Sequence, residues 1–274
     1  MDRTEPSADD LSTLESHALA QLTDLSQSVI TTTDVESALD VHPRIAREMA
    51  ATLSEKGQLV RIADGRYLVL PPDVEPNEVT DQDQLLVGAS LVEPTYVSFL
   101  SALEYHGLVD QKPDDVYVVT TRNEPDRTVL GVTYHLVPLI TRKFFGFEQA
   151  EIRGEQVNIA SVEKALVDCA DHPKFCGGID ELAQAMVKAE EAGCSWDTVV
   201  TYLKKVDNGA ATKRILFAAD ELGIDIPGRT KILANVTRGY SPLDPTREPA
   251  GSYDSTYRLL VNADLELYRP EHPT

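Results

Sequence analysis

The chain has 274 residues, is 42% hydrophobic and carries 45 acidic against 25 basic residues, a net charge of −20. That apolar content supports one large core or two to three small ones and argues against disorder as the main state; the negative total excludes a surface that grips nucleic acid all over. No apolar run approaches the ~20 residues of a membrane span, and three cysteines, Cys169, Cys176 and Cys194, are an odd number in a long chain, unlike a disulfide framework.

A soluble protein of the reducing cytoplasm, with no membrane partner, is therefore expected. The strongly acidic, lysine-poor composition resembles that of proteins from salt-loving microbes, whose charged surfaces hold hydration. Charge is uneven: His42 to Arg66 holds five basic and three acidic residues, and Lys204 to Arg238 holds seven basic and four acidic ones. Two basic islands thus stand in an acidic chain.

Residues 1–10 read as a flexible acidic tail. Leu11, Leu14, Ala18, Leu22 and Leu25 then recur at helical spacing and predict an amphipathic first helix. Thr31, Thr32 and Thr33 supply an N-cap for a short second helix, with Asp34 and Glu36 in its first turn and Val35, Ala38 and Leu39 facing inward. Pro43 suits the first position of a third helix, since its φ is preset and its missing N–H has no partner there anyway. Ile45, Met49 and Leu53 are expected to pin that helix to the core, leaving Arg44, Arg47 and Ala51 on another face, and Gly57 ends it. Leu59 to Ala63 and Arg66 to Leu70 read as two strands joined by the turn Asp64-Gly65.

Three helices followed by a hairpin is the order of a winged helix-turn-helix, in which the third helix enters the major groove and the hairpin lies along the backbone. Residues 11–72 are assigned to this DNA-binding domain; a small helical domain for protein contacts is the plain alternative. Residues 73–84, rich in proline and acids, read as a linker. Residues 85–190 are expected to form a mixed α/β domain, with a helix over Thr95 to Leu108 ending at His106-Gly107, strands at Val116–Thr121, Val132–Val137 and Gln156–Ile159, and a helix capped by Ser161 and running through Cys169. Residues 191–274 are expected as a helical region, with helices at Trp196–Val206 and Ala210–Leu222, Gly223 as C-cap, and a C-terminal strand at Tyr257–Val261. The fold class is α+β.

Several runs together resemble the AbiEi family: Tyr96-Val97-Ser98-Phe99-Leu100-Ser101-Ala102-Leu103 with His106-Gly107-Leu108, Val116-Tyr117-Val118-Val119-Thr120-Thr121, and Lys143-Phe144-Phe145-Gly146. They continue with Val157-Asn158-Ile159-Ala160, Glu163-Lys164-Ala165-Leu166-Val167-Asp168-Cys169, His172-Pro173, Cys176-Gly177-Gly178, Lys213-Arg214, Leu222-Gly223 and Leu259-Leu260-Val261-Asn262. The resemblance covers nearly the whole chain. It implies an antitoxin and transcriptional autorepressor of a type IV toxin–antitoxin system, used in phage defence. In that reading the N-terminal winged helix binds operator DNA at inverted repeats, with self-association on DNA, and the larger C-terminal region neutralises a nucleotidyltransferase toxin. The acidity outside the islands departs from more basic members of the family. A stand-alone regulator without a toxin partner is the alternative.

Arg44 and Arg47, three apart on the third helix, are candidates for the major groove, where a guanidinium bonds guanine bidentately. Arg47 is the better placed for a base. Thr32, Thr33 and His42 sit at helix N-termini and are candidate phosphate ligands, with Lys56, Arg61 and Arg66 flanking the backbone. The plain reading is a solvated face with an Arg44–Glu48 pair. Lys204, Lys205, Lys213 and Arg214 form either a partner or second DNA surface, or two solvated helix faces. Cys169, His172 and Cys176 lack the paired spacing of a zinc site, so cysteines packed as small hydrophobes are expected, with no metal or cofactor. His106 beside Gly107 reads as a helix-end residue. Asp114, Asp115, Glu163 and Lys164 loosely resemble the acids and lysine of metal-dependent nucleases, but Glu163 and Lys164 are adjacent and must diverge; no enzyme is expected.

Overall fold

The computed structural model describes residues 8–24, 27–70, 80–110 and 112–265. It divides into two compact units, one of residues 1–93, 128–132 and 150–157, the other of 94–127, 133–149 and 158–274. The class is mixed α+β, as the sequence predicts. Among the described residues no helix is long and apolar enough to cross a membrane.

In the first unit, α1 (Ala8–Asp24), β1 (Val29–Thr31), α2 (Thr32–Leu39), α3 (Pro43–Glu55), β2 (Leu59–Ala63) and β3 (Arg66–Val69) follow in order. Thr31 closes a capping box on α2: its hydroxyl accepts from the Asp34 N–H at 3.3 Å, and the Asp34 carboxylate accepts from the Thr31 N–H at 2.6 Å. Asp40 then turns the chain with φ 49°, and Pro43 opens α3. The antiparallel sheet runs β1-β3-β2, with β1 unforeseen because three residues are too few for an alternation signal.

The core-facing side of α3 is not the one the apolar spacing predicts. Ala46, Ala50 and Leu53 are fully buried with Leu22, Ile30, Val35 and Leu59, Met49 is only partly buried, and Ile45 is 48% exposed. The helix is turned by about one position from that spacing: two alanines bring the α3 backbone close to its neighbours, and that tight packing decides the face.

Residues 71–79, most of the expected linker, lie outside the described residues, as do residues 1–7 of the expected tail. The remaining linker positions open a helix: α4 (Asp81–Ser90) is boxed by Thr80 and Asp83. Asp83 also accepts from Arg153 at 2.8 Å, and Arg153 donates to the Val69 carbonyl at 3.1 Å. These bonds hold the Asp83 carboxyl below its usual range against the opposing effect of burial.

The second unit takes most of its strand residues from a six-stranded sheet of order β6-β7-β5-β4-β9-β8, where β4 is Thr95–Val97, β5 Val116–Thr120, β6 Arg127–Val129, β7 Val132–Pro138, β8 Phe147–Ile152 and β9 Glu155–Ala160. Its helices are α5 (Phe99–Tyr105), α6 (Val162–Asp171), α7 (Ile179–Glu191), α8 (Trp196–Val206), α9 (Gly209–Leu222) and α10 (Arg229–Ala234), and a small sheet joins β10 (Ser241–Pro242), β12 (Leu259–Val261) and β11 (Ser252–Asp254). The expected helix over Thr95–Leu108 is a strand and a shorter helix: Thr95-Tyr96-Val97 has the β-branched and aromatic character of a buried strand and pairs antiparallel with β5 and parallel with β9. Among the described residues no break falls near residue 190: α7 runs through it, and residues 158–265 fall in one unit. At its centre α6 is buried from Lys164 to Asp171 and packs against α5, α7, α8 and α9.

Candidate nucleic-acid interface

Pro43 sets the entry of α3, and His42 caps it, its Nδ1 accepting from the Arg44 N–H at 3.3 Å. That bond leaves Nε2 as the outward-facing nitrogen of an exposed ring. Because Ala46, Ala50 and Leu53 hold the opposite face in the core, Arg44, Ile45, Arg47 and Glu48 all stand in solvent. Arg44 Nε donates to Glu48 at 2.9 Å with side chains 80% and 61% exposed, a pair worth a few tenths of a kcal/mol, about 0.2–0.5, and so exchanged at little cost. Arg47 makes no hydrogen bond or ion pair among the described residues.

The other expected contacts divide. Thr33 is exposed. Thr32 is not a free ligand: its N–H and hydroxyl both donate to the Gly65 carbonyl, at 2.9 and 3.4 Å, tying α2 to the hairpin turn. Gly65 has φ +67°, and a Cβ there would stand 3.1 Å from the Thr32 hydroxyl, so the close approach and the left-handed backbone both call for glycine. Arg61 reaches Asp64 at 2.7 Å with both side chains exposed. Lys56, just past α3, pairs with Glu15 of α1.

Arg66, expected to flank DNA, is instead turned inward. Its guanidinium donates to the Ser90 carbonyl at 2.6 Å and to Glu93 at 3.0 Å, where the carbonyl end of α4 draws a cation. The expected contact residues of this unit that remain at the surface are His42, Arg44 and Arg47 on α3, where Ile45 joins them, with Thr33, Arg61 and Lys56 on neighbouring elements. Ile45 was legible only by weighing the spacing of Ala46, Ala50 and Leu53 against that of Ile45, Met49 and Leu53.

The second basic island breaks apart. Lys213 and Arg214 are buried, which overturns both their reading as a contact surface and their reading as a solvated face. Lys213 donates to the Gly239 carbonyl, and Arg214 donates to the carbonyls of Ala170 at 2.8 Å, Leu243 at 3.1 Å and Pro242 at 3.2 Å. Carbonyl acceptors replace a carboxylate partner, and burial lowers the pKa of both groups. Lys204 and Lys205 are exposed, the latter with its amine 3.8 Å from the Phe145 ring centre.

The residues weighed for other chemistry are dispersed: Asp114 is exposed, Asp115 and Glu163 are half-buried, and Lys164 lies in the interior. Lys164 is fully buried and pairs with Asp168 one turn on. Its amine donates to the Tyr96 hydroxyl at 3.0 Å, while Tyr96 and Ser98 donate to Asp168 at 3.1 and 2.8 Å. Every member is 1% exposed or less. Glu163 faces away, accepting from the Ser195 N–H at 3.2 Å. Asp115 instead meets His135 at 3.1 Å, and His135 also meets Asp126 at 2.7 Å.

Cys169 and Cys176 are buried together, and burial lifts the Cys169 thiol well above its usual range. Cys194 is pushed up to about 12 by burial and by Glu163 and Glu190. His172 lies 3.1 Å from Asp171 and stacks on Phe175. Among the described residues no group of three or more His, Cys, Asp or Glu is arranged to hold a metal ion. His106 bonds the Ala160 carbonyl at 2.7 Å, fastening the end of α5 to β9.

No protein-family model and no curated protein matches the chain in sequence. In shape it is similar to the solved structure of the RV2827C protein from Mycobacterium tuberculosis, with a TM-score of 0.65 over 94% of this chain and 92% of that one, at 17% identity. At that identity the likeness speaks to the fold alone.

Proposed function

We propose that the first unit is a winged helix-turn-helix reader of operator DNA, with α3 as its recognition helix and the β2–β3 hairpin as its wing. The observation that carries this reading is the exposed face of α3, where the unpartnered Arg47 stands beside Arg44 and an apolar Ile45 that no core contact explains. Guanidinium groups serve guanine O6 and N7, and an exposed aliphatic side chain serves the thymine methyl. His42 Nε2, Thr33, Lys56 and Arg61 serve phosphates and fix the register.

The chain as a whole is then a cytoplasmic transcriptional autorepressor. The AbiEi resemblance extends the proposal to an antitoxin whose second unit neutralises a nucleotidyltransferase toxin. A mobility shift of the promoter upstream of its own gene, run from low to high potassium chloride, tests the first part. Retarded, sequence-specific complexes that disappear with R44A/R47A are expected, and equal retardation by the variant refutes it. For the second part, co-expression with the adjacent reading frame is scored for growth. Rescue by the chain supports an antitoxin, and the absence of any toxic neighbour leaves a stand-alone regulator.

A further inference from the structure

Within the second unit, α8, the start of α9 and the segment around α10 enclose an open cavity of about 450 Å³, inside the range of about 300–1,000 Å³ typical of small-molecule sites. Its apolar walls come from Val200 and Leu203 on α8, Ile232 on α10 and Val236 just after it. Two amines also line it, Lys204 from α8 and Lys231 from α10. Both are exposed and neither makes an ion pair or hydrogen bond among the described residues.

In this acid-rich chain, with 45 acids to 25 bases, Arg142, Lys143, Lys188, Arg229 and Arg247 of the same unit each find a carboxylate, whereas the two cavity amines do not. Asp207, the acid that lines the cavity, is instead faced by Arg142 at 3.4 Å. One wall is closed by a tight approach: a Cβ on Gly209 would come within 2.7 Å of the Thr237 hydroxyl, so the chain after α10 lies directly on the start of α9.

We propose that this cavity binds a small organic anion with an apolar or aromatic body, its charge held between Lys204 and Lys231 and its body against the aliphatic walls. Two unpaired ammonium groups beside apolar walls offer a charge contact and an apolar contact together, which neither a neutral hydrophobe nor a fully hydrated inorganic ion satisfies in both respects. The proposal stands apart from DNA reading, which concerns other residues, so either can fail without the other.

The probe is 1-anilinonaphthalene-8-sulfonate, an aromatic anion whose fluorescence rises on leaving water, with neutral N-phenyl-1-naphthylamine as the charge control. Titrated into the full chain, the anion is expected to saturate at one equivalent. K204Q/K231Q weakens it at least tenfold, while K205Q, which lies off the cavity, leaves it unchanged. Amide shifts in nitrogen-labelled protein are expected at Gly209, Gly228 and Ile232. The neutral probe is expected to bind the wild type and the double variant alike. Because Lys204 and Lys231 are exposed, an unchanged thermal midpoint shows that the double variant is folded. Absence of saturable binding, equal affinity in the double variant, or shifts confined to other parts of the chain would overturn the proposal.

Discussion

Helices α3 and α9 each carry two basic residues within four positions, and the fold uses them in opposite ways. In α3, Arg44 and Arg47 stand in water because Ala46, Ala50 and Leu53 take the core side. In α9, Lys213 and Arg214 sit in a helix buried on nearly all sides from Ala211 to Ala219, and both cations are absorbed by main-chain carbonyls. A basic pair is therefore an interface signal only where its helix has a polar face to put it on; where the helix is apolar all round, it is internal wiring.

The largest expected effects fall on that wiring. Arg214→Met leaves the carbonyls of Ala170, Pro242 and Leu243 short of a donor; at about 1–3 kcal/mol for each orphaned buried group, a loss of about 3 kcal/mol or more is expected. Lys164→Met strands the buried Asp168 carboxylate and should cost about 3–5 kcal/mol. Urea unfolding measures both, and a change under about 1 kcal/mol would show that these cations are dispensable. On α3 the balance reverses. R44A/R47A should alter stability by no more than about 0.5 kcal/mol, since both side chains are solvated, yet should weaken operator binding by about 2–4 kcal/mol if each guanidinium reads a base.

A third effect separates the two regions by pH. His135 is held between Asp115 and Asp126, whose hydrogen bonds and charges raise its pKa against the effect of partial burial. Its folded value lies above its unfolded value of about 6.5, so the stabilisation is fully present below that pH and is lost as pH rises through the raised folded value. Stability should fall across that window in the wild type and stay flatter in His135→Gln. A fall of equal size in the variant would remove His135 from the account.

This contrast also marks what the sequence discloses. Helices with caps and strong periodicity were legible nearly to the residue: Thr31, Pro43, Ser161 and Gly223 mark ends that the fold respects. Short strands were not, because β1, β4 and β6 are three residues each and are held by pairing rather than by local preference. In the candidate site, Arg44 and Arg47 were legible from helix phase, but the fates of Arg66, Lys213 and Arg214 depended on carbonyls contributed by segments 24 to 44 residues away. Local sequence gives no notice of such acceptors.

The smallest effect tests the same distinction within one hairpin. Arg61 and Arg66 lie on paired strands, but Arg61 meets only the exposed Asp64, whereas Arg66 anchors Ser90 and Glu93. If Arg61 neutralises a phosphate, Arg61→Ala lowers the slope of log affinity against log salt by about 0.9 and leaves stability alone. Arg66→Ala should do the opposite, costing about 1 kcal/mol of stability through its lost hydrogen bonds while the slope holds. Equal slopes for the wild type and Arg61→Ala would take the hairpin off the DNA and leave α3 as the whole interface. A shallower slope for Arg66→Ala would mean that its inward bonds exchange for phosphate on binding, so that DNA contact and the anchoring of α4 compete for one guanidinium.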